Sequence, residues 1–194
     1  DKNKFNPEIC CFHSKGAFFK NIEQLGVPIH LFKFTADYKP LVSLPFRILK
    51  ISKFFKKHKF DVIHSWHWSS DFTEPLAAKM AGIPFVYTKK AMGWGNKSWR
   101  WRTRLSTKII AINKDMLEQF FINYKSKTVY MPLGVDTTKF SYLEPKRSTP
   151  NGHVFKDSDF VIVSIANLVP VKGIEVLLNA VEQIDNDSIQ VLIV

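Results

Sequence analysis

Short apolar runs that alternate with helix-like segments are the feature that most constrains the fold of this chain. Stretches such as "FDVIHSW", "IPFVYTK" and "KIIAI" have the length and the β-branched and aromatic content of buried strands. Strands separated by helices of roughly 10–15 residues pair in parallel through right-handed crossovers. The sequence therefore predicts an α/β fold built on a doubly wound, Rossmann-like parallel sheet.

The predicted elements cover most of the chain. Strands are predicted at residues 7–13, 26–34, 60–66, 83–89, 108–112, 127–131, 160–168 and 189–194. Helices are predicted at residues 16–25, 45–58, 71–80 and 173–184, and another begins near Asn113. The segment at residues 94–104 is basic and aromatic, and its secondary structure is left unassigned.

A polar stretch, "EPKRSTPNGHVFKDSD", interrupts this alternation. Its prolines and glycine, and its lack of apolar periodicity, indicate a linker or a surface loop. We therefore place an N-terminal domain at residues 1–145, and the linker with the first β-α-β of a second α/β domain at residues 146–194. Three elements cannot bury both faces of a sheet. We accordingly expect the natural protein to continue past Val194 and to start before Asp1.

The charge balance of the chain indicates a polyanionic partner. There are 28 Lys and Arg residues against 17 Asp and Glu residues, which gives a net charge of +11. Such an excess suits nucleic acid, an anionic membrane surface or phosphorylated ligands, and charge alone does not choose among them. Nucleic acid is disfavoured because the sequence has no RNP, KH or zinc-finger signature.

The cysteines and the apolar runs indicate a cytoplasmic protein. The two cysteines, Cys10 and Cys11, are adjacent, so they form neither a disulfide framework nor a metal-binding spacing. No apolar run approaches the roughly 18 residues that span a bilayer, and no signal peptide is visible. We predict no metal site and no cofactor.

The stretch "SIANLVPVKGIEVLLNA" reads as a strand, a tight turn and an amphipathic helix. The first turn of a helix offers unpaired N–H groups and a partial positive charge to an anion, and Lys172 beside it adds a full charge. The alternative is a solvated lysine followed by a turn glycine, Gly173. Neither a Walker motif nor a GxGxxG motif is present.

Four segments resemble the retaining glycosyltransferases of the GT-B fold, of the group 1 or family 4 type. The first three are "VSIANLVPVKGIEVLLNAV", similar to the opening of the donor-binding domain, "YMPLGVDTTKF", similar to the interdomain segment, and "STKIIAINKDMLEQFF", similar to a helix entry. The fourth, "KFDVIHSWHWSSDFTEPLAAKMAGIPFVYTK", is similar to an N-terminal-domain block. The resemblance extends from about Lys59 to the end of the chain.

This resemblance implies a metal-independent, retaining transfer of a hexose from a nucleotide sugar, such as a UDP- or GDP-hexose. The acceptor is expected to be a glycan or a lipid-linked molecule of polysaccharide or lipopolysaccharide biosynthesis. Lys172, Gly173 and Asn167 are expected to bind the donor phosphates, where a cation stabilises the leaving diphosphate. Because a GT-B site forms between two domains, we expect no transfer by this chain alone.

The resemblance also places residues on the acceptor side, and no catalytic residue is assigned. His64, Trp66 and His67 lie at the carboxyl end of a predicted strand, and Lys90 stands where the family has a histidine. Gly134 and Asp136 lie in the interdomain segment. The alternatives are buried histidines bonded to backbone and tryptophans packed in the core. Other departures from the family pattern are Asn167 in place of arginine, Ala166 in place of glycine and Leu133 in place of asparagine.

Two segments are candidates for contact with an anionic membrane surface, where aromatic and basic side chains act together. The first carries a lysine stripe at helical spacing, formed by Lys50, Lys53 and Lys57. The second alternates tryptophans with cations: Trp94, Lys97, Trp99, Arg100, Trp101, Arg102 and Arg104. The alternative for the first is an ordinary amphipathic helix with a solvated basic face. We expect a peripheral location at the inner face of the membrane.

Two further interpretations stay open. The chain could be a non-catalytic basic α/β module that docks on a membrane or another polyanion, because Asn167 and Lys90 replace residues of the family pattern. It could also belong to a related GT-B enzyme such as a sugar-nucleotide epimerase, although the Lys-Gly and Gly-Val-Asp motifs favour a transferase.

Overall fold

A computed structural model describes residues 3–93, 96–144, 146–149 and 151–194. The chain divides into two compact units, Asp1–Gly134 and Val135–Val194. The boundary predicted from the polar stretch, between residues 145 and 146, lies later in the chain than this division.

The described residues of the first unit form six parallel strands. β1 (Ile9–Cys11) pairs with β2 (Ile29–Leu31). A second sheet has the order β3, β4, β5, β6, with the bounds Ile63–Ser65, Phe85–Lys89, Lys108–Ala111 and Thr128–Tyr130. In its register Ile63 lies opposite Phe85, and Tyr87 lies opposite Ile109. The predicted α/β class with parallel sheets is confirmed.

Helices connect these strands. They are α1 (Phe19–Glu23), α2 (Leu44–His58), α3 (Thr73–Ala81), α4 (Trp99–Leu105) and α5 (Asp115–Gln119). Helix α4 forms in the basic aromatic segment to which the sequence assigned no secondary structure. The predicted strand at residues 7–13 is shorter in the structure, because only its central residues pair with β2.

The sequence of α2 explains its buried face and both of its ends. Ile48, Ile51 and Phe55 recur at helical spacing and are buried, and this face of α2 packs in the core beside α3. Pro45 lies in the first turn, where its missing N–H costs no hydrogen bond. The helix ends at His58, and Lys59 then adopts a left-handed φ of 53°.

The core of the first unit lies where the four-stranded sheet meets its helices. Its most deeply buried apolar side chains come from strands β4 and β5, helices α3 and α5, and the residue Phe121; from the named elements they are Phe85, Tyr87, Ile109, Ala111, Ala77, Ala78 and Met116. Alternate residues of β4 face this core, as expected for a strand. Strands β4 and β5 are therefore anchored in this core.

The part of the second unit that the structure describes contains the β-α-β arrangement that the sequence predicts. β7 (Phe160–Ser164) pairs in parallel with β8 (Ile189–Ile193), and α6 (Ile174–Glu182) connects them. Ile174, at the start of α6, is the buried residue of that helix. The loop from β7 to α6 carries Asn167, Lys172 and Gly173.

Candidate functional site

His64, Trp66 and Lys90 meet at the carboxyl ends of β3 and β4. The His64 ring shares a hydrogen bond of 2.8 Å with Oγ1 of Thr88, the next-to-last residue of β4. The His64 and Trp66 ring centroids are 5.2 Å apart, and Nζ of Lys90 lies 5.9 Å from the Trp66 ring. Partial burial lowers the pKa of His64. The site thus combines a neutral imidazole, an indole and an ammonium group.

Trp66 presents an open aromatic face. Its side chain is 51% exposed, and the neighbouring Trp68 is 78% exposed. Neither tryptophan belongs to the core, which removes the core-packing alternative. An exposed indole beside hydrogen-bonding groups can stack on a sugar ring, because the apolar face of the sugar covers the aromatic surface.

His67 is held between two aromatic rings. Phe12 and Phe34 meet it edge-on at centroid distances of 5.2 Å and 5.7 Å. Burial lowers the pKa of His67, and the positive charge of Arg102 lowers it further. Its Nδ1 is buried and bonds to no residue that the structure describes. His67 is therefore a neutral side chain that packs against Phe12 and Phe34.

Lys89 is a buried cation that the sequence reasoning missed. Its Nζ donates a hydrogen bond to the carbonyl of Ala91 and lies 4.1 Å from the centroid of the Phe120 ring. Burial lowers the pKa of Lys89 to about 8. The burial of Lys89 could have been predicted from the strand "FVYTK", because Phe85, Tyr87 and Lys89 are alternate residues and so share one face. The loop that carries Lys90 is thus anchored by the residue before it.

A buried ion pair lies beneath the loop that follows β3. Arg102 in α4 is 0% exposed, and Glu74 in α3 is 3% exposed. Arg102 Nη1 donates to Glu74 Oε2 at 2.9 Å and to the Asp71 carbonyl at 2.8 Å, and Nη2 donates to Ser65 Oγ at 2.8 Å. Ser65 Oγ in turn donates to Glu74 and accepts from the N–H of His67. Burial raises the pKa of Glu74, and Arg102 and Ser65 oppose this rise.

Asp71 fixes the other end of this loop. Its Oδ1 accepts hydrogen bonds from the N–H groups of Thr73 and Glu74, at 2.8 Å and 3.2 Å, and from the Thr73 hydroxyl at 2.6 Å. A carboxylate at this place satisfies the free N–H groups of the first turn of α3. The loop of Trp66, His67 and Trp68 is consequently held at both ends by buried groups.

The prediction that Arg102 faces a membrane is wrong. The fully buried Arg102 packs against the rings of Phe85 and Tyr87 as well as pairing with Glu74. Trp99 is half-buried and meets the ring of Phe120 edge-on at 5.8 Å. Trp94 lies outside the described residues.

The other predicted membrane-surface residues are exposed. In α4 they are Arg100, Trp101 and Arg104, and the Arg104 guanidinium lies 5.4 Å from the Trp101 ring. In α2 they are Lys50, Lys53 and Lys57. Within the part of the chain that the structure describes, no helix is long and apolar enough to span a bilayer.

The predicted phosphate-binding residues share the loop between β7 and α6. Lys172 is exposed and ends a 3₁₀ turn, Pro170–Lys172. Gly173 follows with φ of 63° and ψ of 30°, a left-handed conformation that favours glycine, and precedes the first residue of α6. Asn167 is exposed, and its carbonyl accepts from the N–H of Val169. This loop follows the carboxyl end of β7, where ligands of open α/β sheets bind.

Gly134 and Asp136 lie on either side of the division between the two units. Both are exposed. Asp136 closes a local turn, because its Oδ1 accepts from the Thr138 hydroxyl at 2.6 Å and from the N–H of Thr138 at 3.0 Å. These hydrogen bonds lower the pKa of Asp136. The geometry therefore gives Asp136 a structural role within this turn.

Comparison with known proteins identifies the family. Residues 1–139 match the model described as Glycosyltransferase Family 4, which is more than half of the chain. The chain belongs to glycosyltransferase family 4. The resemblance inferred from the four segments is thereby confirmed, and the matched region includes the strands before Lys59, for which no motif was recognised. Comparison with curated proteins finds no match.

Solved structures agree with this family in their fold. Anabaena Alr3699/HepE, solved in complex with UDP and glucose, has a TM-score of 0.65 and 19% identity, covering 96% of this chain and 52% of its own. A glycosyltransferase from Rickettsia africae ESF-5 has a TM-score of 0.59 and 15% identity, covering 99% of this chain and 61% of its own. This chain thus spans about half to three fifths of the length of these two solved structures.

Proposed function

We propose that this chain is part of a retaining, metal-independent glycosyltransferase that moves a hexose from a nucleotide sugar to a glycan or lipid-linked acceptor. The reaction serves polysaccharide or lipopolysaccharide-type biosynthesis. In this proposal the first unit binds the acceptor, and the loop between β7 and α6 binds the donor phosphates.

The observation that carries the proposal is the cluster of His64, Trp66 and Lys90 in a family 4 domain. A neutral imidazole can donate or accept a hydrogen bond with a sugar hydroxyl, and its bond to Thr88 fixes the ring. The exposed indole of Trp66 offers a stacking face. Lys90 supplies positive charge beside the indole, which suits an anionic acceptor such as a lipid-linked phosphate.

The donor side rests on Lys172 and its turn. Left-handed Gly173 directs the chain into α6, so the exposed lysine lies next to the first turn of a nine-residue helix. A helix start and a lysine together attract a diphosphate. The presence of UDP with glucose in the HepE structure supports a UDP-hexose as the donor for this chain.

A nucleotide-sugar panel tests the proposed activity. The full-length natural protein is incubated with UDP- and GDP-hexoses and with lipid-linked acceptors, and release of the nucleoside diphosphate is measured. We expect acceptor-dependent release with one donor class and unchanged release when a chelator is added. Retention is checked by the anomeric configuration of the product. Release that needs no acceptor, or none with any donor, contradicts the proposal.

A second candidate function, docking on an anionic membrane, is favoured by the surface of α2. Phe46, Lys50, Lys53 and Lys57 follow one another at helical spacing, and Phe46 is 73% exposed. Leu41 and Val42, in the turn just before α2, are 70% and 87% exposed. Exposed apolar side chains beside a row of lysines suit the headgroup region of a bilayer. Such docking is compatible with catalysis at the inner face of a cytoplasmic membrane or with a non-catalytic module.

Neutralising the stripe is expected to weaken vesicle binding. Each cation near an anionic surface contributes about 1 kcal/mol, so the triple change of Lys50, Lys53 and Lys57 to glutamine lowers the partition coefficient roughly 100-fold. The measurement is co-sedimentation with vesicles containing anionic phospholipid. The matched control changes Lys15, Lys20 and Lys125, which are also exposed, to glutamine. Equal losses in the two triple variants would show a diffuse charge effect and no α2 docking surface.

A further inference from the structure

Glu8, His30 and His58 form a second cluster of polar side chains, and Glu8 and His30 line the same cavity as His64 and Trp66. Glu8 lies just before β1, His30 is the middle residue of β2, and His58 is the last residue of α2. One donor atom from each lies within 4.8 Å of the other two. Because Glu8 precedes β1, the cluster lies at the amino end of that strand, whereas His64 and Lys90 lie at carboxyl ends.

We propose that these three side chains bind a zinc ion. Two imidazoles and one carboxylate are a ligand set that suits Zn²⁺, leaving a fourth position for water. Zinc binding here is distinct from the proposed transfer reaction, which needs no metal, and it does not depend on that proposal.

The distances between the donor atoms leave room for an ion after a small movement. His30 Nε2 and Glu8 Oε2 are 2.5 Å apart and share a hydrogen bond. In a tetrahedral zinc site with bonds of about 2.0–2.1 Å, ligand atoms are about 3.4 Å apart. The Glu8 carboxylate must therefore withdraw by about 1 Å. Glu8 is the exposed member of the cluster, so it is free to make this movement.

Aromatic side chains hold both histidines in place. The His58 ring stacks on Phe60 with an interplanar angle of 9°. The centroid of the His58 ring lies 4.4 Å from the centroid of the His30 ring. Phe54 meets the His58 ring at 4.6 Å and the His30 ring at 5.7 Å. An apolar shell limits the rotation of the imidazoles and strengthens metal–ligand attraction. The two less mobile ligands are thus oriented before any ion binds.

A cavity of about 590 Å³ gives the ion a route to the cluster. Glu8, His30, Phe54 and Phe60 line one part of it, and it continues between β1 and β3. Among the described residues β1 does not pair with β3. A zinc ion on these ligands would join the end of α2 to both β1 and β2. We therefore expect zinc to stabilise the fold and to fix the helix that carries the lysine stripe.

Calorimetric titration of the chelator-treated chain with ZnCl₂ tests this inference. We expect one zinc per chain and a rise in Tm of about 5 °C when free zinc is 100-fold above Kd. Absence of saturable zinc binding, with His30 and Glu8 serving only as a hydrogen-bonded pair, overturns the proposal.

Variants then locate the ion. His58→Gln and Glu8→Gln are each expected to weaken zinc binding at least about 10-fold, whereas His13→Gln, at an exposed histidine elsewhere, leaves it unchanged. The Cys10→Ser/Cys11→Ser variant is also expected to bind zinc normally. Loss of binding in the cysteine variant, or unchanged affinity in both cluster variants, would place zinc at another site and refute the assignment.

Discussion

Lys172→Ala in the full-length protein is expected to lower kcat/KM for the nucleotide sugar by about 100- to 1,000-fold, the usual cost of removing one group that stabilises a developing charge. The leaving diphosphate gains negative charge as the sugar departs, and Lys172 is the cation beside the start of α6. Asn167, where the family pattern has arginine, can donate a hydrogen bond but cannot neutralise a phosphate. Under the proposed donor-site assignment, we therefore expect the enzyme to depend on Lys172 more than a relative with both cations does.

The fold should not change in this variant. Lys172 is exposed, and its side chain makes no hydrogen bond to any residue that the structure describes. The matched control is Lys156→Ala, which removes another exposed lysine of the second unit. Lys172→Arg should restore part of the rate, because it restores the charge. A Lys172→Ala enzyme within about twofold of the natural rate, with unchanged thermal stability, would remove Lys172 from the donor site.

The architecture could be predicted from the sequence because the spacing of apolar residues shows which face of each helix or strand is buried. The helix predicted at residues 45–58 is found at Leu44–His58, since Ile48, Ile51 and Phe55 carry a clear apolar face. Strand lengths were less well predicted. The run at residues 7–13 is apolar at its centre, but its paired length depends on β2. Pairing partners are distant in sequence, so the ends of the strands are not encoded locally.

The candidate site could be predicted only in part. His64 and Trp66 could be proposed because they lie at the carboxyl end of a strand that the local pattern reveals, and strand ends are where such sheets bind ligands. Arg102 was misassigned because its neighbours Arg100, Trp101 and Arg104 suggest a surface. Its burial depends on Glu74, which lies 28 residues earlier in the chain. A buried ion pair has no periodic signal, so only the fold shows that helix α4 turns Arg102 inward.

Arg102→Met is expected to destabilise the protein by about 3–5 kcal/mol, because it leaves the Glu74 carboxylate buried without its cation. Methionine is long and unbranched and fills much of the vacated space, so the loss reports mainly the missing charge and hydrogen bonds. Urea unfolding gives the free energy of unfolding. Arg104→Met, two residues further along α4 at an exposed position, is the matched control and should leave the midpoint nearly unchanged.

Removing the partner charge should reverse part of this loss. In Arg102→Met/Glu74→Gln the carboxylate that paired with Arg102 is gone, so the double variant is expected to be more stable than Arg102→Met alone. A single variant within about 1 kcal/mol of the natural protein would show that the pair is not essential to the fold. The double variant also keeps the test decisive if Arg102→Met fails to fold.

The pH dependence gives an independent check on the same pair. Burial raises the pKa of Glu74 and Arg102 opposes the rise, so this pKa climbs further in Arg102→Met. A carboxyl group whose folded-state pKa exceeds its unfolded value destabilises the fold increasingly as the pH rises between the two values. The stability difference between Arg102→Met and the natural protein should therefore shrink as the pH is lowered from 8 towards 5. Arg102 also donates a hydrogen bond to Ser65, and Ser65 accepts a hydrogen bond from the backbone N–H of His67. Loss of Arg102 therefore loosens the loop of Trp66 and His67. We expect the folded Arg102→Met variant to bind acceptor more weakly even at a pH where its stability recovers.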